Sequence, residues 1–131
     1  MIVYVDTSAL YAVLDRDDGN HERAGAVWRS LVQGGERLIT SSYVVVECAA
    51  LVQRRLGMTA VRTLLDDVLA VTEICFVSEE VHAAATAAFI IANRRDLSFV
   101  DCVGFEVMRR LGIGAAFAFD AHFEEQGFSR A

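Results

Sequence analysis

The chain has 131 residues, 54% of them hydrophobic, and a formal net charge of −6. That size fits one domain, residues 1–131, with ample apolar material for a core; no apolar run reaches the ~18 residues of a membrane-crossing helix, and the acidic balance argues against bulk electrostatic capture of nucleic acid. All twelve basic residues are Arg, so mechanisms built on a lysine, the phosphate-binding P-loop and Schiff-base chemistry among them, are excluded.

The N-terminus, MIVYVDTSALY, lacks the basic flank and cleavage site of a signal peptide, which predicts a cytoplasmic protein. Residues 2–5, IVYV, form a continuous apolar run and read as a strand covered on both faces. A helix is expected from Thr7 to Asp15, and a second over 20–33 with Ala24, Val27, Trp28 and Leu31 on one stripe and Gly34-Gly35 as its stop. Arg37–Thr40 reads as a short strand. Ser41 and Ser42 then cap a helix running to Gly57. The stretch 58–70 predicts an amphipathic helix with Met58, Val61, Leu64, Leu65 and Val68 facing inward. Glu73–Val77 is a further strand, and Ser78 caps a helix to Asn93. Ser98 caps the next helix, which runs to Leu111 and is ended by Gly112. Residues 115–119, AAFAF, give the last strand, and a short helical turn starts at Asp120.

Strands alternating with helices predict an α/β fold with a short parallel sheet and right-handed crossovers. Sites in such sheets lie at the carboxyl ends of the strands. Asp6 and Asp120 share that context, each following an apolar strand and preceding a helix. Either also fits a plain helix N-cap. Asp101 fits a capping box with Ser98, in the frame S-x-x-D.

Glu47 lies inside YVVVECAALV, mid-helix, with no cap to serve and with Tyr43, Val44, Ala50 and Leu51 as its helical neighbours. This pattern predicts a buried carboxylate, which needs a partner or must become neutral. Arg54 is one candidate partner, and a bound cation shared with the strand-end acids is the other. Carboxylates ~4 Å apart repel by about 4 kcal/mol per pair at an effective dielectric of 20. Such a set calls for divalent cations, and hard oxygen ligands select Mg²⁺ or Mn²⁺. Trp28, Phe89, Phe105 and Phe117 read as core. Cys48, Cys75 and Cys102 read as buried thiols, with no histidine near them at zinc-ligand spacing.

Four segments, VDTSA, SSYVVVE, DLSFVD and FDAHF, occur in an order and at a spacing that resembles the PIN domain, and more narrowly the VapC-type toxins of toxin–antitoxin pairs. The resemblance spans essentially the whole chain. It implies a three-layer α/β/α fold and Mg²⁺- or Mn²⁺-dependent endoribonuclease activity. It also implies a homodimer, and an antitoxin whose C-terminal segment covers the site. Asp6, Glu47, Asp101 and Asp120 match the family's four acids. Thr7 and Ser8 match the polar pair after the first acid, Ser98 the serine before the third, and His122 the position two residues after the fourth. Asp96 is the runner-up to Asp101. One position departs from the pattern: Ala118 stands where members commonly carry Thr or Ser. A PIN-like protein that binds RNA or a partner without cutting is therefore the alternative. A haloacid-type phosphatase would need a second Asp at position 8, where this chain has Ser8, and a lysine.

Overall fold

The run IVYV becomes the central strand, β1 (Ile2–Val5), with Val3, Tyr4 and Val5 fully buried. A strand so apolar tolerates neighbours on both edges and helices on both faces, and β1 has them. The computed structural model, which describes residues Met1–Ala131, contains a five-stranded, all-parallel sheet in the order β3-β2-β1-β4-β5. Val3 pairs with Leu38 of β2 (Arg37–Ser41) on one side and with Ala115 of β4 (Ala115–Phe117) on the other. β3 is Glu73–Cys75, and β5 is Ser129–Arg130.

The chain moves outward from β1 through α1 (Thr7–Leu14) and α2 (His21–Gln33) to β2, then through α3 (Ser42–Leu56) and α4 (Met58–Arg62) to β3. It returns through α5 (Glu79–Ala92) and α6 (Phe99–Leu111) to the other side of β1, and α7 (His122–Glu125) precedes β5. Right-handed crossovers in opposite senses about β1 put helices on both faces, giving the three-layer α/β/α sandwich expected from the sequence. No helix is long and apolar enough to cross a membrane.

The helix ends follow the predicted capping chemistry. Ser41, Ser78 and Ser98 each accept a backbone N–H from the first turn of their helices. Ser42 instead accepts the N–H of Val77 at 3.0 Å, tying α3 to the segment after β3. Gly112 ends α6 at φ 68°, a conformation a side chain resists. Gly104 lets α6 approach the sheet: a Cβ there would sit 3.0 Å from the Tyr4 hydroxyl.

Four expectations are corrected. The stretch after Gly57 is not one α-helix but α4 followed by a π-helical segment, Thr63–Val68, and a 3₁₀ turn, Leu69–Val71. The change of pitch turns Val61, Leu64, Val68 and Leu69 inward and leaves Met58 and Leu65 exposed. β3 and β4 are each two residues shorter than predicted. β5 was not expected, because a two-residue edge strand carries no periodic signal; its ladder is held by Ser129 N–H to Gly114 O and Ala131 N–H to Ala116 O, both 2.9 Å. Phe105 and Phe117 are core residues, whereas Trp28 and Phe89 are half-buried at its margin. Cys48 and Cys102 are buried as expected, and Cys75 is partly exposed.

Candidate active site

The order β3-β2-β1-β4-β5 reverses its direction of travel at β1, so the crevice between β1 and β4 is the sheet's switch point. Val5 pairs with Phe117 at its edge, and the next residue, Asp6, donates its N–H to Phe117 O at 3.0 Å. Asp6 thus leaves β1 directly into the crevice, and Asp120 follows β4 into the same place. α6 brings Asp101 in from its first turn, and α3 brings Glu47. The four acids line one cavity of about 310 Å³ together with Thr7, Ser8, Ser98 and His122, and no apolar residue takes part. Asp96, the runner-up acid, lines it too.

The capping roles and the pocket are not alternatives. Asp6 caps α1, accepting the Ser8 N–H at 3.2 Å, and also accepts the Ser8 hydroxyl at 2.7 Å. The same hydroxyl oxygen accepts the Phe119 N–H at 3.0 Å, locking the end of β4 to the start of α1. Asp101 and Ser98 form the full capping box, yet Asp101 Oδ2 also lies 3.1 Å from His122 Nδ1. Asp120 Oδ1 accepts the His122 N–H at 3.1 Å and lies 3.6 Å from the imidazole. Ligand atoms of Asp101, Asp120 and His122 all fall within 4.8 Å of one another.

Burial and mutual repulsion dominate the electrostatics. Asp6 is 3% exposed, and burial, followed by the charges of Asp120 and Asp101, pushes its carboxyl up to about 7. Burial and the Asp120 charge raise Asp101 as well. Burial alone would lower the His122 imidazole, but Asp120 and Asp101 outweigh it and hold it above its usual range. Asp96 differs: the Arg94 guanidinium grips it through two nitrogens at 2.7 and 3.0 Å and pulls its carboxyl down to about 2. Arg94 also reaches Glu125 at 2.9 Å and so closes the loop before α6 onto α7.

Glu47 corrects the expectation of a buried charge. It is half-exposed at the pocket edge, with neither a hydrogen bond nor an ion pair to Arg54. It also borders a second depression formed with Tyr43, Val46 and Val100. Ala118 differs from its extended reading: β4 ends at Phe117, and Ala118 is buried outside the pocket lining.

The donor set suits a hard divalent cation. The donors are mainly carboxylate oxygens, and their repulsion is what a cation would relieve. The Thr7 hydroxyl, on the pocket wall, is buried without any hydrogen-bond partner, a polar atom that an ion-bound water would satisfy.

A family model for the PIN domain matches residues 3–129. The chain belongs to the PIN-domain family. It is 32% identical over 128 residues to the 23S rRNA-specific endonuclease VapC20 of Mycobacterium tuberculosis, covering 97% of this chain and 95% of that one. The crystal structure of M. tuberculosis VapC20, described as a sarcin–ricin loop cleaving toxin, superposes with a TM-score of 0.85 at 31% identity over 98% of this chain and 96% of that one. The structure of FitAcB from Neisseria gonorrhoeae shares the fold, with a TM-score of 0.69 at 17% identity over 99% and 96% of the two chains. The PIN-domain chain is therefore homologous to a VapC endoribonuclease toxin over nearly its whole length, as the four sequence segments implied.

Proposed function

We propose that this PIN-domain protein cuts a phosphodiester bond of structured RNA in the pocket of Asp6, Glu47, Asp101 and Asp120, with Mg²⁺ or Mn²⁺ held by those acids. The observation that carries the reading is the carboxylate set at the switch point, in which buried Asp6 and Asp101 are repelled by the neighbouring Asp120 and Asp6 is pushed up to about 7. Such a set is costly on its own and is useful as a cation cradle. A bound divalent cation supplies a water of lowered pKa and charge compensation for the phosphate.

The chain's own residues have separate tasks. Ser8 holds the Asp6 carboxylate and the Phe119 backbone in one geometry. Ser98 fixes Asp101 through the capping box. His122 spans Asp101 and Asp120, setting their separation. Thr7 offers its hydroxyl to an ordered water.

The relative's substrate makes a stem-loop of large-subunit rRNA the first RNA to test. The protein acts in the cytoplasm as the toxin of a toxin–antitoxin pair. An antitoxin segment presenting a cation to the acids and an apolar side chain to the Tyr43–Val46–Val100 depression would fit this surface. The protein is also a homodimer in this reading, supported by exposed Phe76, Ile90 and Ile91, which are 79%, 68% and 83% accessible. The deciding experiment incubates the purified protein with a sarcin–ricin stem-loop RNA. Discrete cleavage with Mn²⁺ or Mg²⁺, abolished by EDTA, supports the reading. Cleavage that persists in EDTA, or intact RNA with both ions, overturns it.

A further inference from the structure

The pocket is lined by carboxylates and the whole chain is acidic, so an RNA strand must be held by cations close to the site. Several arginines already hold a carboxylate or an amide and are less free to take a phosphate. Arg94 is tied to Asp96 and Glu125, and Arg110 to Glu80 and Glu106. Arg109 donates to Gln126. Arg23 is different. It stands in the first turn of α2, is exposed, and makes no ion pair; its one side-chain hydrogen bond goes to Asn20 Oδ1 at 3.0 Å. Its Cζ lies 5.4 Å from the centroid of the Phe119 ring.

Phe119 is no ordinary surface ring. It immediately precedes Asp120, its N–H is bound by Ser8, and its ring meets the buried Phe117 ring edge-on at 5.8 Å between centroids. The ring is fixed to the frame of the acid pocket, and Arg23 rests upon it. A guanidinium supported this way keeps an outer face and several N–H donors for a ligand. A base can stack on that face while the donors reach a phosphate, a pairing proteins use for unpaired nucleotides.

We propose that Arg23, seated on Phe119, is an RNA-binding residue that holds an unpaired nucleotide beside the bond cleaved in the acid pocket. The inference rests on the nuclease reading for what happens to the strand, but not for the contact itself. Phe119 supplies the platform, and Asn20 limits the side chain's swing. The ligand class is a single-stranded or looped-out ribonucleotide, recognised by its phosphate and the face of its base.

The test measures binding of a fluorescein-labelled twelve-nucleotide oligouridylate by anisotropy in EDTA, at several salt concentrations, for wild type, Arg23→Met and Arg23→Lys. Stem-loop cleavage with Mn²⁺ is followed alongside. Arg23→Met keeps the aliphatic stem on the ring and should weaken binding about tenfold. It should lower the slope of log affinity against log salt by about one, raise KM and leave kcat and the melting temperature unchanged. Arg23→Lys should keep the salt slope and recover only part of the affinity, because it lacks the planar face. If wild type cleaves nothing yet its affinity depends on Arg23 in this way, the nuclease reading fails and the nucleotide site stands. Wild-type affinity and slope in Arg23→Met, a loss of affinity that merely follows a fall in melting temperature, or no oligouridylate binding by wild type would each overturn the proposal.

Discussion

Replacing Asp6 by Asn should stabilise the metal-free protein while abolishing its activity. Asp6 is buried, and its carboxyl is pushed from 3.8 to about 7 by burial and by Asp120 and Asp101. A tenfold change in proton affinity is worth about 1.36 kcal/mol, so the ionised group costs the fold about 4 kcal/mol. In the folded protein Asp6 keeps its proton while the unfolded chain has released it. Stability therefore falls as pH rises from about 4 to about 7, and the full cost is present above that window. The raised Asp101 acts in the same direction. Asn keeps an acceptor for the Ser8 N–H and hydroxyl but gives weaker, uncharged bonds, a loss of about 1 kcal/mol. The net gain is about 2–3 kcal/mol, or roughly 6–12 °C for a domain of this size. The assay is thermal unfolding in EDTA at pH 4 and pH 8. Asp6→Asn should melt well above wild type at pH 8, with the gap closing by pH 4. Saturating Mn²⁺ should raise wild type by about 2.7 kcal/mol at a hundred times its dissociation constant and leave the mutant far less changed. Equal melting temperatures at pH 8, or a gap independent of pH, would refute the argument.

Three further outcomes follow from the same geometry. Glu47→Gln should change stability by no more than about 0.5 kcal/mol, since Glu47 is half-exposed and unbonded, yet slow RNA cleavage sharply; an unchanged rate would remove Glu47 from the metal set. Gly104→Ala would place a methyl 3.0–3.2 Å from three atoms of the buried Tyr4 ring and hydroxyl, and should cost about 1–3 kcal/mol by urea denaturation; a neutral result would mean the approach of α6 to β1 is looser than the structure has it. Light scattering at micromolar protein should give about twice the chain mass of 14.4 kDa, and a clean monomer would contradict the homodimer.

Much of the architecture is legible in local chemistry. IVYV had to be a doubly covered strand, and serines at 41, 78 and 98 marked helix starts because their hydroxyls satisfy otherwise unpaired N–H groups. The π-helical stretch after α4 was not legible, because Met58 and Leu65 fit an α-helical stripe as well as Val61 and Leu64 do. β5 was invisible for the opposite reason, since two residues on an edge need only backbone partners. At the site, Asp6 and Asp120 were readable as strand-end acids once their strands were neighbours. Glu47 was found for a reason the structure corrects: it lies at the open edge of the pocket, not inside the core. Arg94 carried no sequence signal, because its grip on Asp96 and Glu125 depends on the loop before α6 folding over α7. The pairing of Arg23 with Phe119, 96 positions apart in number, likewise exists only in three dimensions.

The central claim is that the carboxylate pocket is where RNA is cut. Its most direct test is the single-turnover rate of stem-loop cleavage in Mn²⁺ for Asp101→Asn beside wild type, with both proteins shown to be folded by thermal melting. Asn retains an acceptor for the Ser98 N–H, so the capping of α6 survives while the pocket loses a charge. The account predicts a rate lower by orders of magnitude with RNA binding retained. Full activity in Asp101→Asn would reduce Asp101 to a helix cap and contradict the four-acid site.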